Sequence, residues 1–256
     1  MGKLFFAGDL VTPTNIVAEQ TEVNGYDVWG AIDIYRPNRS YRADLTTLDS
    51  DLFTVDFGSA ATLSGIYLDK VNFTKFNVES SADDITYTAR LSAQAVVSDT
   101  KVDRWHGYYA LTAWNYRYLR LVVAATATAC ADAYWEVGSI AFPETTLTFS
   151  RNFSYDSGRS IYVPSLDTDT LNGAMQRFST TARKRWQRFY SFGTRSSSDE
   201  SDFDSLRDFD KNALLVVADD ATDLDAAYLC WRLEDISITD NQLNQIEAET
   251  LSFREI

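Results

Sequence analysis

Between Asp51 and Ser80 the chain reads DLFTVDFGSAATLSGIYLDKVNFTKFNVES, and this stretch limits the fold more than any other. Phe53, Val55 and Phe57 alternate with Thr54 and Asp56, and apolar positions resume at Ile66, Leu68 and Val71 before Phe73, Phe76 and Val78. A period of two puts apolar side chains on one face of an extended strand, whereas a helix needs them three or four apart. Gly58-Ser59-Ala60 interrupts the run, which predicts short strands, half-buried on one face, meeting at a corner. Arg117-Tyr118-Leu119-Arg120-Leu121-Val122-Val123 supplies a matching closing strand. The first half of the chain is therefore expected to be an antiparallel β-sandwich.

Composition agrees with packed β structure. Aromatic residues make up 14% of the 256 positions against only 4 Pro and 11 Gly, and wide flat side chains fill the space between sheets. The length allows one large β domain or two ordinary ones. The net charge of -14 divides evenly, with -7 in residues 1–150 and -7 in the remainder. A uniformly acidic surface repels phosphate backbones, which argues against nucleic acid as the ligand. Cys130 and Cys230 have no paired spacing and read as small buried hydrophobes or free thiols. The opening Met1-Gly2-Lys3-Leu4-Phe5-Phe6-Ala7-Gly8-Asp9 reaches an acidic residue before an apolar run of signal-peptide length can form, and no stretch has membrane-spanning character. Folding in a reducing cytosol is the expectation.

Along the chain, Val28-Trp29-Gly30 reads as an aromatic anchor in a loop and Arg36 to Arg42 as a basic, turn-rich, solvated loop. Pro143-Glu144 is a natural domain end, because proline stops strand pairing. The division expected is 1–143 and 144–256. In the second half, Arg177 to Phe192 reads as a strand anchored by Trp186 and Phe189, with Arg183, Lys184, Arg185 and Arg188 as its solvated face or as an electrostatic contact with an acidic neighbouring subunit. Phe203, Leu206 and Phe209 stand at threefold spacing after Ser198-Asp199-Glu200, the pattern of one short amphipathic helix with acidic residues in its first turn. Further strands are expected at Leu214–Ala218, Tyr228–Glu234, Ile236–Thr239 and Ala248–Phe253.

Catalytic constellations are sparse. His106 is the single histidine, and there is no Gly-x-Ser-x-Gly elbow to accompany it, so neither a Ser-His-Asp arrangement nor a zinc site can be assembled. Asp83-Asp84, the Asp199 to Asp210 run and the Asp219 to Asp225 loop offer carboxylates for calcium or glycosidic chemistry, but they read more simply as solvated turns. The window Trp105 to Tyr116 is the most aromatic in the chain. Trp105, Tyr108, Tyr109 and Trp114 are the candidate sugar contacts, because pyranose rings stack on flat side chains. Burial in a sandwich core is the competing reading. No cofactor and no metal is expected.

Taken together, Phe53-Thr54-Val55-Asp56-Phe57-Gly58-Ser59-Ala60, Leu63-Ser64-Gly65-Ile66, Asn72-Phe73-Thr74, Tyr116 to Leu121 and Trp135-Glu136-Val137-Gly138 resemble the galactose-binding-like, discoidin-type jelly rolls of tailed-bacteriophage structural proteins. The resemblance covers about residues 10–143. The second half is similar to the β-sandwich units of minor and distal tail proteins, through Arg185-Trp186, the Asp199 to Phe209 helix, Leu214–Val217 and Leu251–Glu255. It implies an all-β chain in which an N-terminal jelly-roll β-sandwich precedes a second β-sandwich or split-barrel-like unit with one short helix. It also implies a non-enzymatic virion protein, assembled in the host cytoplasm into the phage tail. The implied partners are other tail proteins of the tube, hub or baseplate, in a homo-oligomeric ring. The alternative is a carbohydrate-binding module that contacts a host-surface glycan.

Overall fold

A computed structural model describes residues 3–33, 39–96, 98–99, 104–128, 132–153, 157–162, 165–169, 175–179, 185–191, 194–196, 200–209, 214–224, 227–233, 238–241, 245–248 and 251–255. Among these the chain is all-β apart from two short helices. The first half holds β1 (Lys3–Leu10), β2 (Asn15–Ala18), α1 (Trp29–Ile32), β3 (Tyr41–Ala43), β4 (Ser50–Val71), β5 (Lys75–Ser81), β6 (Thr88–Ala95), β7 (Ser98–Asp99), β8 (Arg104–Val123) and β9 (Trp135–Ala141). The second holds β10 (Pro143–Asn152), β11 (Gly158–Tyr162), β12 (Ser165–Asp169), β13 (Met175–Ser179), β14 (Arg185–Tyr190), β15 (Thr194–Ser196), α2 (Glu200–Asp208), β16 (Leu214–Ala218), β17 (Ala227–Arg232), β18 (Ile238–Asn241), β19 (Gln245–Ala248) and β20 (Leu251–Glu255).

The jelly-roll unit is built on β4 and β8, which pair antiparallel over nearly their whole length in the order β3-β9-β4-β8-β5-β6, with β2 added to β4 and β7 to β8. The corner expected at Gly58-Ser59-Ala60 does not end a strand. The ladder passes through it with a register shift between Asp56 and Ala61, so one 22-residue strand bends and serves two parts of the sandwich. Gly58 is required there: its φ is +79°, and a Cβ would lie 2.6 Å from Thr14 Oγ1.

The N-terminal strand lies outside this unit. β1 pairs with β10 and β16 in a seven-stranded sheet ordered β10-β1-β16-β17-β20-β14-β11. Residues 3–10 thus hydrogen bond across the boundary expected at residue 143. The alternation of β1 feeds two cores. Leu4 and Phe6 pack with α2 residues Phe203, Leu206 and Phe209, while Phe5 and Ala7 pack against Tyr67 and Tyr108 of the jelly roll. The second sheet therefore has the helix on one face and the jelly roll on the other. Its partner strands β4 and β8 are likewise buried on both faces here, which is why Ile66, Tyr67 and Leu68 are all buried in succession.

The helix read from threefold spacing is α2, with Phe203, Leu206 and Phe209 inward. Its expected cap, Ser198, and Cys130 lie outside the described residues; Cys230 is fully buried. The basic strand needs correction. Of the cluster at 183–188, residues 183 and 184 lie outside the described residues, and Arg188 is no solvated side chain but 1% exposed. No described helix is long and apolar enough to cross a membrane.

Candidate functional site

The four aromatic residues expected to meet a sugar serve mainly as core. Tyr108 is 2% exposed and its ring lies 5.0 Å from Phe5 of the second sheet, while its hydroxyl donates to Ser64 Oγ. Tyr109, on the opposite face of β8, packs 4.8 Å from Phe76 inside the jelly roll. Trp114 is 2% exposed and meets Tyr116 edge-on, and Trp105 is a partly buried neighbour of the same core. The reason is positional. β8 is covered on both sides over residues 106–109; beyond them Ala110, Thr112, Ala113 and Asn115 are exposed, while Leu111 and Trp114 point into the core. His106 shares that fate, fully buried with its ring 4.8 Å from Tyr228.

A different constellation forms where β3 and β9 pair beside the loops around Tyr26, Asn72 and Tyr134. Arg42 begins in sequence as part of a basic loop. Residues 36–38 of that loop lie outside the described residues, and Arg42 itself is in β3, opposite Glu136 of β9. Its guanidinium lies over the Tyr26 ring at 3.8 Å and the Tyr134 ring at 4.4 Å. Such stacking orients a planar cation while leaving its edge free for hydrogen bonds. Glu136 is mostly buried and gathers three donors: Ser40 Oγ at 2.7 Å, Arg42 Nη2 at 3.3 Å and Lys70 Nζ at 3.5 Å. Asn72 ties the loops together. Its Nδ2 donates to Asp132 Oδ2 and to the Tyr134 carbonyl, and its Oδ1 accepts from the Glu136 amide. Burial pushes the Tyr134 phenol above its ordinary value, against the pull of Arg42.

Next to this group stands Trp29, 48% exposed, on the one-turn helix α1 where the sequence predicts only a loop. The turn is held by Asp27 Oδ1, which accepts from the Gly30 amide, and by Glu22 Oε1, which accepts from the Val28 amide. Gly30 lets it approach the chain before β3, since a Cβ there would lie 3.1 Å from the Ser40 carbonyl oxygen. Flat aromatic and guanidinium surfaces, fixed N–H donors and carboxylate acceptors thus converge at one end of the sandwich. That set can hold a polyhydroxylated ligand by stacking and by hydrogen bonds to its hydroxyls. Sequence reading names Arg42, Asn72, Tyr134 and Glu136 only as turn or strand residues, because the contacts that join them span up to 94 positions.

Elsewhere the acidic candidates are engaged internally. Asp83 Oδ1 accepts from the Ile85 and Thr86 amides, Asp219 accepts from Arg188 and Tyr190, and Asp220 accepts from Thr222. Among the described residues no group of three or more His, Cys, Asp or Glu side chains is placed to hold a metal ion.

The fold class is an all-β chain with a jelly-roll sandwich. No family model and no curated protein matches the sequence. Solved structures similar to it include the module CBM32-1 from a family 31 glycoside hydrolase of Clostridium perfringens. It is 13% identical, with a TM-score of 0.41, over 52% of this chain and 96% of that one. The CBM32 of AlyQ, solved with 4,5-unsaturated mannuronic acid, is 16% identical over 53% of this chain and 98% of that one, at a TM-score of 0.40. A third is CpGH89CBM32-4 from Clostridium perfringens, solved with GlcNAc-alpha-1,4-galactose. It is 14% identical over 52% of this chain and 90% of that one, at 0.39.

Proposed function

We propose that this chain is a non-enzymatic carbohydrate-binding protein whose sugar site is the Tyr26–Arg42–Tyr134 stack with Trp29 beside it. The observation that carries the reading is a guanidinium stacked on the Tyr26 and Tyr134 rings, with the half-exposed Trp29 on the one-turn helix that follows Tyr26. A pyranose face suits both an indole ring and the hydrogen-bonding groups of Lys70, Asn72 and Glu136. Glycan-array binding followed by calorimetry tests it. Trp29→Ala and Lys70→Ala should each weaken a captured glycan at least tenfold while leaving the melting temperature near wild type. Absence of any glycan-dependent change in tryptophan fluorescence at millimolar sugar would sink the proposal.

A second reading, a structural subunit of a tailed-phage tail, is favoured by the way β1 joins the units. A shared core between the jelly roll and the seven-stranded sheet makes a stiff body of the kind a load-bearing ring subunit requires. Its partners would be further copies of the chain and neighbouring tail proteins. Labelling this chain in its parent particle and measuring its mass in solution discriminate: label at the tail, or a ring-sized oligomer, supports it, and a monomer that labels no particle overturns it. Both roles fit one protein if the ring presents the sugar sites outward.

A further inference from the structure

The second unit carries a cleft of about 190 Å³ lined by Phe153, Ser157, Gly158, Arg159, Arg188, Tyr190 and Asp219. Its floor is Arg188, on β14, whose guanidinium faces the Tyr228 ring at 3.6 Å and is almost fully buried. Nη1 spends its donors on both oxygens of Asp219, at 3.0 Å each. Among the described residues, Nε and Nη2 have no hydrogen-bond partner. The tyrosine hydroxyl of Tyr190 also donates to Asp219, and burial holds that phenol well above its ordinary value, so it remains a donor at neutral pH.

Three hydrogen bonds from two side chains thus converge on a single carboxylate, and that carboxylate is the exposed member of the group. Arg188 and Tyr190 sit on β14, paired on both sides by β20 and β11, while Asp219 follows the end of β16 with its side chain 49% exposed. Among the described lining residues two arginines stand against one aspartate, in a chain of net charge -14, a cationic lining that attracts an anion. Phe153 and Tyr190, 5.3 Å apart, supply an apolar wall. At roughly 30 Å³ per water the volume equals about six waters, enough for a carboxylate on a small flat body and too small for a chain segment.

We propose that the cleft is a binding site for a small carboxylate, and that Asp219 is its internal competitor. The incoming carboxylate accepts from Arg188 Nη1 and Tyr190 Oη, Asp219 swings into solvent, and the apolar part of the ligand lies on Phe153. This site is separate from the sugar site at Arg42.

Benzoate is the probe and benzamide, which keeps the shape and lacks the charge, is the control. In the wild-type protein, benzoate should give saturable shifts of the Gly158 and Tyr190 amides in the low millimolar range, and benzamide should not. Asp219→Asn removes the competitor and should tighten benzoate at least fivefold. Arg159→Gln, an exposed change that cannot unfold the sheet, should weaken it severalfold. Arg188→Met should abolish it; if that variant does not fold, the other two decide. Equal response to benzamide, no saturation in either the wild type or Asp219→Asn, or weaker binding in Asp219→Asn would overturn the proposal.

Discussion

Gly65 is the position where one added methyl group tests the seam between the two units. A Cβ there would stand 2.4 Å from Tyr108 Cζ, 2.5 Å from its hydroxyl oxygen and 2.6 Å from the Tyr109 carbonyl oxygen. Comfortable carbon contacts begin near 3.5 Å, so each overlap is about 1 Å. The ring has nowhere to go. Tyr108 is pressed against Phe5, and its hydroxyl is hydrogen bonded to Ser64, whose own hydroxyl donates to the Pro143 carbonyl. The carbonyl can yield only if β8 moves away from β4. Overpacking of this kind costs about 1–3 kcal/mol, and the backbone contact puts Gly65→Ala at the upper end. The loss of unfolded-chain freedom returns about 0.4–1 kcal/mol, leaving a net cost of about 2 kcal/mol. At roughly 2–4 °C per kcal/mol for a chain of this size, the melting temperature should fall by about 4–8 °C in differential scanning calorimetry. The double variant Gly65→Ala/Tyr108→Ala should be less than additive, because the methyl group enters space the ring has left. A melting temperature within about 1 °C of wild type, or strict additivity, would refute a rigid seam here.

Trp114→Ala, which empties a buried site, should cost about 3–5 kcal/mol by urea unfolding, whereas Trp29→Ala should be near neutral in stability and lose glycan. Equal stability losses would contradict the burial assigned to the two indoles. Hydrogen bonding from Arg117 holds the Asp56 carboxyl below its ordinary 3.8. Because the folded value lies below the unfolded one, the pair's contribution is present above about pH 4 and is lost as pH falls through the folded value. Arg117→Met should bring Asp56 back towards 3.8 in a carboxyl-carbon NMR titration and shallow the acid limb of stability, by a small amount because the pair is exposed; an unmoved Asp56 would show that the hydrogen bond is not the cause. Deleting residues 1–10 removes Leu4 and Phe6 from one core and Phe5 and Ala7 from another. Hydrogen exchange should then quicken across 214–232 while 50–71 keeps its protection, and unchanged exchange in both would count against the role given to β1.

How legible each part was follows from the range of the interactions involved. The helix at Phe203, Leu206 and Phe209 and the strands from Phe53 to Val78 announce themselves, because their spacing is a local signal and their neighbours obey it. The Gly58 corner was misread as a strand end, since a bulge in one strand is matched by its partner and no partner is visible in one dimension. The aromatic window at Trp105 to Tyr116 shows a further limit. Alternation tells that two faces exist and says nothing of whether the outer one is wet. Here the second sheet covers Tyr108, while Tyr109 and Trp114 face the jelly-roll core, and rings expected at a ligand became core.

Local pattern alone determined that this chain is all-β with an antiparallel sandwich in its first half and a short amphipathic helix in its second, because propensity and period belong to the chain itself. Tertiary structure decided the rest. It placed β1 in the far sheet, turned Arg188 from a surface charge into a cleft floor, and drew Tyr26, Arg42, Lys70, Asn72, Tyr134 and Glu136 to one end of the sandwich. The physical reason is that antiparallel pairing joins residues a hundred positions apart, and the free energy of burying both faces of a strand is available only once the second layer has arrived.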